Sequence, residues 1–185
     1  DLKAHVLSYA STEHGLPTSN LCGMAGSWQG VVKEDGVKEV EVELTRLLAK
    51  IEFTYSMGED GFTFKPTGVA LCSVPQQMQV DAPESQLQEM SYTTYTGEVN
   101  EQGTTMYWYL PESDDNTVDA EKKKTGKGVS DATFIKLTGT AVQGGVTYEN
   151  VTFCFYPGKD KNNYDIVRNS HYTMNVTLVG IDISD

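Results

Sequence analysis

At 185 residues the chain has room for one large domain, or a small one with an appendage, and can bury a sizeable core. Hydrophobic residues make up 38% and charged residues 22%, with ten Tyr and 17 Gly, a composition that describes a β-rich globular protein with many turns and excludes a disordered one. The net charge of −12, from 26 acidic against 14 basic residues, repels nucleic acid and disfavours an anionic membrane surface, and no stretch approaches the roughly 18 consecutive apolar residues of a membrane helix.

The chain starts at Asp1 without a Met or a signal peptide, which reads as a mature, processed or trimmed product. From there, residues 5–9 read as a short strand and residues 11–26 as a turn-rich run. Trp28 to Val32 is extended, and Asp35-Gly36 is a hairpin-turn dipeptide. A long strand is predicted from Val37 to about Met57. Val40, Val42 and Leu44 occupy its even positions, whereas Ala49, Ile51, Phe53 and Tyr55 occupy odd ones. A one-residue slip sends every side chain to the other face, so a bulge or a change of sheet is expected at Thr45–Leu48. The second option divides the chain into a leading segment, 1–44, and a main sandwich, 45–185.

Beyond it, Phe62 to Phe64 and Gly68 to Val74 read as strands. Pro75 to Gln88 reads as a loop, with one helical turn near Ser85–Glu89. Ser91 to Val99 and Thr104 to Leu110 read as a hairpin about the turn 100–103, and Pro111 to Ser130 as a long charged loop. Ala132 to Val142 and Val146 to Tyr156 form a second hairpin about Gly144-Gly145. The closing strand alternates strictly: Tyr172, Met174, Val176 and Leu178 share the core face, and Thr173, Asn175 and Thr177 the other. That pattern predicts a half-buried antiparallel strand. About seven closely spaced strands without a helical pattern predict an all-β, antiparallel Greek-key β-sandwich.

Chemistry-bearing residues are sparse. His5, His14 and His171 form no zinc-binding pair, and His171 falls on the face away from the core. Cys22, Cys72 and Cys154 are too few and too scattered for a disulfide framework or a C-x-x-C motif. One bridge, with Cys72 and Cys154 the favoured pair, and two or three buried thiols both remain open. Cys22 before Gly23 fits no thiol-protease pattern, and no serine sits in a nucleophile elbow. Asp114, Asp115, Asn116 and Asp119 offer oxygen ligands without the spacing of a calcium loop. Gly126-Lys127 lacks the upstream glycine of a phosphate-binding loop, and Lys122, Lys123, Lys124 and Lys127 read as a solvated loop. Asn150 and Asn175 head N-glycosylation sequons. Tyr107 and Tyr109 point away from the core face of Met106, Trp108 and Leu110, either as a contact for sugar or a partner or partly covered by a loop. No catalytic, cofactor-binding or metal residue is assigned.

Three segments carry a resemblance. Arg168-Asn169, followed by Tyr172 and Val176, is similar to the "RN-x-x-Y-x-x-x-V" closing strand of the fimbrillins, the type V pilus subunits of Bacteroidales. Leu44, Arg46 and Ala49-Lys50-Ile51 look like the "L-x-R-x-x-A-K-I" segment that opens their C-terminal sandwich. Tyr109, Pro111 and Glu112 look like their "Y-x-P-E" strand end. The resemblance implies a transthyretin/immunoglobulin-like sandwich corresponding to the fimbrillin C-terminal domain, with residues 1–44 the remnant of a preceding β domain. It also implies a non-enzymatic structural or adhesive subunit, secreted to the cell surface as a fimbria at the outer membrane. Its partners would be other pilus subunits, joined by β-strand exchange, and a host or bacterial surface ligand, but no nucleic acid. The alternative is a carbohydrate-binding surface lipoprotein of the same fold class. An exposed aromatic row would favour that alternative, and an unpaired apolar groove would favour the pilin.

Overall fold

The computed structural model describes residues 6–8, 22–36, 39–58, 60–80, 91–113, 132–160 and 163–182, and all regular structure among them is β. The strands are β1 (Val6–Ser8), β2 (Met24–Ala25), β3 (Thr45–Arg46), β4 (Leu48–Met57), β5 (Phe62–Pro75), β6 (Gln77–Gln79), β7 (Tyr92–Gly97), β8 (Met106–Pro111), β9 (Phe134–Gln143), β10 (Val146–Phe155) and β11 (His171–Leu178). Seven of them build a β-sandwich, with a sheet ordered β10-β9-β5-β7 and a sheet ordered β11-β4-β8. Their inward positions form one core, including Ile51 and Phe53 of β4, Leu71 of β5, Trp108 of β8, and Ile135 and Leu137 of β9. Alternation is the cause: Ala49, Ile51, Phe53 and Tyr55 are buried while Lys50, Glu52, Thr54 and Ser56 are only partly covered.

The slip at Thr45–Leu48 marks a change of sheet. β3 pairs with β2, and β4 pairs with β8 and β11. Leu47 and Leu48 are both buried. They and Met78 form a second small cluster, onto which Cys22, Ala25, Val80 and Tyr109 pack. The continuous strand expected from Val37 is therefore not formed, since residues 39–44 carry no strand. In contrast, the two short strands expected over Phe62–Val74 are one, β5. Its Pro66 sits at a register shift between Pro66 and Gly68, which moves the inward phase from Phe62 and Phe64 to Val69 and Leu71.

The hairpin expected from Ser91 to Leu110 is also corrected. β7 pairs with β5 and β8 with β4, so the connection crosses between sheets. Tyr55 holds the crossing, donating its hydroxyl to the Asn100 carbonyl at 3.0 Å while its own carbonyl accepts from Gly103 N at 3.1 Å. The β9–β10 hairpin forms as expected, with Gly144 and Gly145 at φ 58° and 79°, the two positive values of a type I′ turn. The expected helical turn near Ser85–Glu89 lies outside the described residues, as does the charged loop beyond Ser113.

The closing strand is parallel to β4, not antiparallel, because both strands start at the same end of the sandwich. Asn169 makes the turn in the left-handed region at φ 57°, a conformation that asparagine tolerates. Its N–H donates to Leu48 O at 3.1 Å, its side-chain oxygen accepts from Arg46 Nη1 at 3.3 Å, and Lys50 N donates to Ser170 O at 2.9 Å. Arg168 grips Glu112 bidentately: Nε donates to Oε2 at 2.7 Å and Nη2 to Oε1. Its third nitrogen, Nη1, donates to Val80 O at 3.0 Å. The three segments that carry the family resemblance thus converge on one turn.

Two expectations follow. A Cβ at Gly139 would lie 2.3 Å from Lys65 O and 2.7 Å from Phe64 Cζ, so Gly139→Ala is expected to destabilise by about 1–3 kcal/mol in urea unfolding. Glu112 and Arg168 are largely covered, with side chains 10% and 17% exposed. Removing one partner alone, as in Arg168→Met, is expected to cost about 3 kcal/mol, with Arg168→Lys failing to restore the loss because the planar fork is gone. A double-mutant cycle with Glu112→Gln reads the coupling directly.

Candidate functional site

No described strand joins the two sheets on the side where β10 and β11 form their edges. On β4, flanked by strands on both sides, the inward row is fully buried. On β11, which among the described strands pairs with β4 alone, Tyr172, Met174 and Val176 remain half-buried, and Leu178 is covered. The inward residues of β10 facing them, Val151, Phe153 and Phe155, are half-buried too. Between these two rows lies an apolar groove whose floor is aromatic. Phe155 packs against Phe53 at 5.2 Å between ring centroids, Phe153 meets Phe64 edge-on at 5.1 Å, and Phe153 stacks on Phe155 at 6.3 Å.

Each end of the groove is built by specific contacts. At the start of β11 lies a cleft of about 590 Å³, lined by Tyr156, Lys159, Ser170, His171, Tyr172 and Met174 among others. Tyr172 is fixed there, its hydroxyl accepting from Val167 N at 2.9 Å and donating to Asp165 O at 3.3 Å. At the far end Gln143 clasps the segment after β11. Ile181 N donates to its Oε1 at 2.8 Å, and its Nε2 donates back to Ile181 O at 3.1 Å. A side-chain amide thus substitutes for a neighbouring strand and holds this segment across the end of the sandwich.

The outer face of the β11-β4-β8 sheet gathers the polar residues. His171 Nε2 lies 3.2 Å from Glu52 Oε2, Lys50 donates to the same carboxylate, and Lys50 Nζ stands 5.3 Å from the Tyr107 ring centroid. The ammonium holds the Glu52 carboxyl below its ordinary range and is itself raised, chiefly by that hydrogen bond. Tyr107 is 43% exposed, while Tyr109 packs against the cluster around Leu47 and Met78, so no aromatic row spans the sheet.

The remaining sequence candidates stay apart. Cys22, Cys72 and Cys154 are free thiols. The register sets Cys72 opposite Phe134 and Cys154 opposite Lys136, on strands either side of β9, and burial raises both thiol pKa values. Asn150 is the bulge residue of β10, at φ 58°, and Asn175 faces outward on β11. Among the described residues no group of three His, Cys, Asp or Glu side chains converges to hold a metal ion, and no helix is long and apolar enough to cross a membrane. His5, His14, Asp114–Asp119 and the lysines of 122–127 lie outside the described residues. Sequence reasoning placed Tyr172, Met174 and Val176 on the correct face but missed the groove, because nothing local marks β10 and β11 as edges.

A family model described as a domain of unknown function, DUF4906, matches residues 98–176. No curated protein matches in sequence. Among solved structures, the chain is similar to the tip fimbrial protein Mfa3 of Porphyromonas gingivalis with a C-terminal truncation. That match has 18% identity and a TM-score of 0.49, over 98% of this chain and 68% of the other. It is also similar to a protein of Parabacteroides distasonis provisionally assigned to cell adhesion, with 13% identity and a TM-score of 0.51, over 89% of this chain and 60% of the other. The second likeness shows a shared fold, of which this chain spans about three-fifths of the relative's length.

The groove has a mutational signature. Phe53→Ala, at a fully buried position, is expected to cost about 3–5 kcal/mol, whereas Met174→Ala, at the half-buried edge, is expected to cost less than half as much. Thermal and urea unfolding compare the two.

Proposed function

We propose that this chain is a non-enzymatic, structural or adhesive subunit of a cell-surface pilus, joined to neighbouring subunits by β-strand exchange. The observation that carries the reading is the open groove. Two apolar rows, on β10 and β11, stand half-exposed on either side of an unclosed sandwich edge, and a strand from another subunit would bury both. The fold shared with the provisional cell-adhesion protein supports this reading, as do the three fimbrillin-like segments that meet at the Arg168–Asn169 turn. Residues 45–185 then correspond to a fimbrillin C-terminal sandwich and residues 1–44 to the remnant of a preceding β domain. The site of action is the bacterial surface, in a fimbria at the outer membrane of a Bacteroidales cell, with other subunits and a host or bacterial surface ligand as partners.

Carbohydrate binding by a surface lipoprotein has less support. It would rest on Tyr107 and Tyr109, and the second of these is packed against the cluster of Leu47, Leu48 and Met78.

Immunogold electron microscopy of surface filaments from the source bacterium tests the proposal. Label along the filaments or at their ends is the expected outcome. Label spread over the cell body with none on filaments, together with strong binding to immobilised glycans, would favour the lipoprotein reading. In vitro, deleting the residues before Val37 is expected to enlarge the species seen by light scattering, and a truncated protein that stays folded and monomeric would count against strand exchange.

A further inference from the structure

We propose that the free edge of β11, and not that of β10, β7 or β8, receives the incoming strand, antiparallel to β11 because antiparallel pairing is the more stable per residue. The segment it takes would be extended, apolar at alternate positions and acidic toward its C-terminal end. This inference rests on the assembly reading above and goes beyond it in naming the edge, the direction and the chemistry of the partner.

The direction of each backbone group on β11 follows from two hydrogen bonds. Lys50 N donates to Ser170 O at 2.9 Å, and Gly58 N donates to Leu178 O at 3.0 Å, so the even-numbered residues of β11 turn their backbone toward β4. In a strand, the N–H and C=O of one residue point to the same side and alternate with those of the next. His171, Thr173, Asn175 and Thr177 therefore present four N–H and four C=O groups to the open side, where no described strand pairs with them. A row of backbone donors and acceptors at two-residue spacing is a template for another strand.

The other edges are guarded. β10 carries a register shift between Tyr148 and Val151, with Asn150 at φ 58°, and a bulge of this kind interrupts regular pairing. β7 has six residues, its ladder to β5 shifts between Leu71 and Val74, and neither Tyr92 nor Tyr95 is without a further partner. β8 also has six residues, ends at Pro111, which has no N–H to give, and continues into the bridge between Ser113 and Ile166. Of these four described edges, β11 alone is both long and regular. It runs for eight residues in unbroken register with β4, without proline or glycine and without a charged side chain among Tyr172, Met174, Val176 and Leu178.

The surroundings specify the partner. On the inner side an added strand would meet Phe153, Phe155, Met174 and Val176, which calls for apolar side chains at every second position. On the outer side it would lie beside His171, Thr173, Asn175 and Thr177, which suits polar ones. An antiparallel strand brings its C-terminal end to the His171 end of β11, where the cleft is lined by Lys159. Among the described residues the ammonium of Lys159 makes no ion pair, whereas its neighbour Asp160 is already engaged, so a carboxylate on the incoming strand is complementary.

The test uses a synthetic peptide of about ten residues, alternating valine and threonine and ending in two aspartates, with hydrogen exchange of the full chain followed by nuclear magnetic resonance. The expected result is slowed exchange at His171, Thr173, Asn175 and Thr177. Asn175→Pro removes one open-side N–H and none from the ladder to β4, and proline is tolerated on an edge strand. It is expected to keep the unfolding midpoint within a few degrees while abolishing the protection. Met174→Glu, which buries a charge under the incoming strand, serves the same purpose should the proline variant not fold. Lys159→Glu is expected to weaken the aspartate-ended peptide about tenfold and to leave a lysine-ended version no weaker. Protection along Val151–Phe155 instead, or none at millimolar peptide, would overturn the assignment of β11. Subunits that enter filaments while the β11 amides exchange freely would leave the pilus reading standing without this edge. Peptide protection at β11 in a protein never found on filaments would do the reverse.

Discussion

The grip of Arg168 on Glu112 and Val80 is the constraint on which the arrangement of this sandwich depends. A guanidinium can satisfy a carboxylate with two parallel hydrogen bonds and still offer a nitrogen to a third partner, a geometry that lysine cannot copy. Here the third partner is a backbone carbonyl, so one side chain ties the turn before β11 to the end of β8 and to the segment after β6. The next residue, Asn169, bends left-handed and bonds to Leu48 and Arg46 at the start of β4. The last strand is thereby delivered to the first strand of its sheet at its first residue, and the parallel register follows without a further choice.

That delivery also creates the groove. Because β11 joins the outside of β4, it becomes an edge, and among the described strands its inward row gains cover in its own sheet from β4 alone. The opposing sheet ends in β10, whose own described neighbour is β9, and whose inward Phe155 packs on Phe53 of β4, next to β11. The difference between Phe53, which is wholly buried, and Met174, paired to it in register and only half-buried, is a difference of sheet order and not of hydrophobicity.

The two ends of β11 are treated differently. At its start the turn is locked by a largely buried ion pair and several backbone bonds. At its end the chain leaves the sheet and is held by the Gln143 amide, a neutral contact of two ordinary hydrogen bonds. A neutral side-chain contact contributes less than a buried bidentate ion pair, so the far end is the softer of the two. A groove with one rigid end and one softer end suits a site that must be preformed yet able to take in an extended segment.

What the sequence determined by itself was the class of fold and the inward faces of β4, β8 and β11. The alternation of Ile51, Phe53 and Tyr55, and of Tyr172, Met174, Val176 and Leu178, follows from backbone geometry with a period of two, and the Gly144-Gly145 turn is chosen by local torsion preferences. The slip at Thr45–Leu48 was legible for the same reason, as a break in a local period. Tertiary structure alone decided which strands lie side by side. The separation of β7 from β8, the fusion of β5 through Pro66, the parallel pairing of β11 and the open groove between β10 and β11 all depend on sheet order. Sheet order is set by contacts between residues far apart in the chain, such as Arg168 with Glu112 and Tyr55 with Asn100. No local pattern records those partners, because a strand's alternation is the same whether it lies at the centre of a sheet or at its edge.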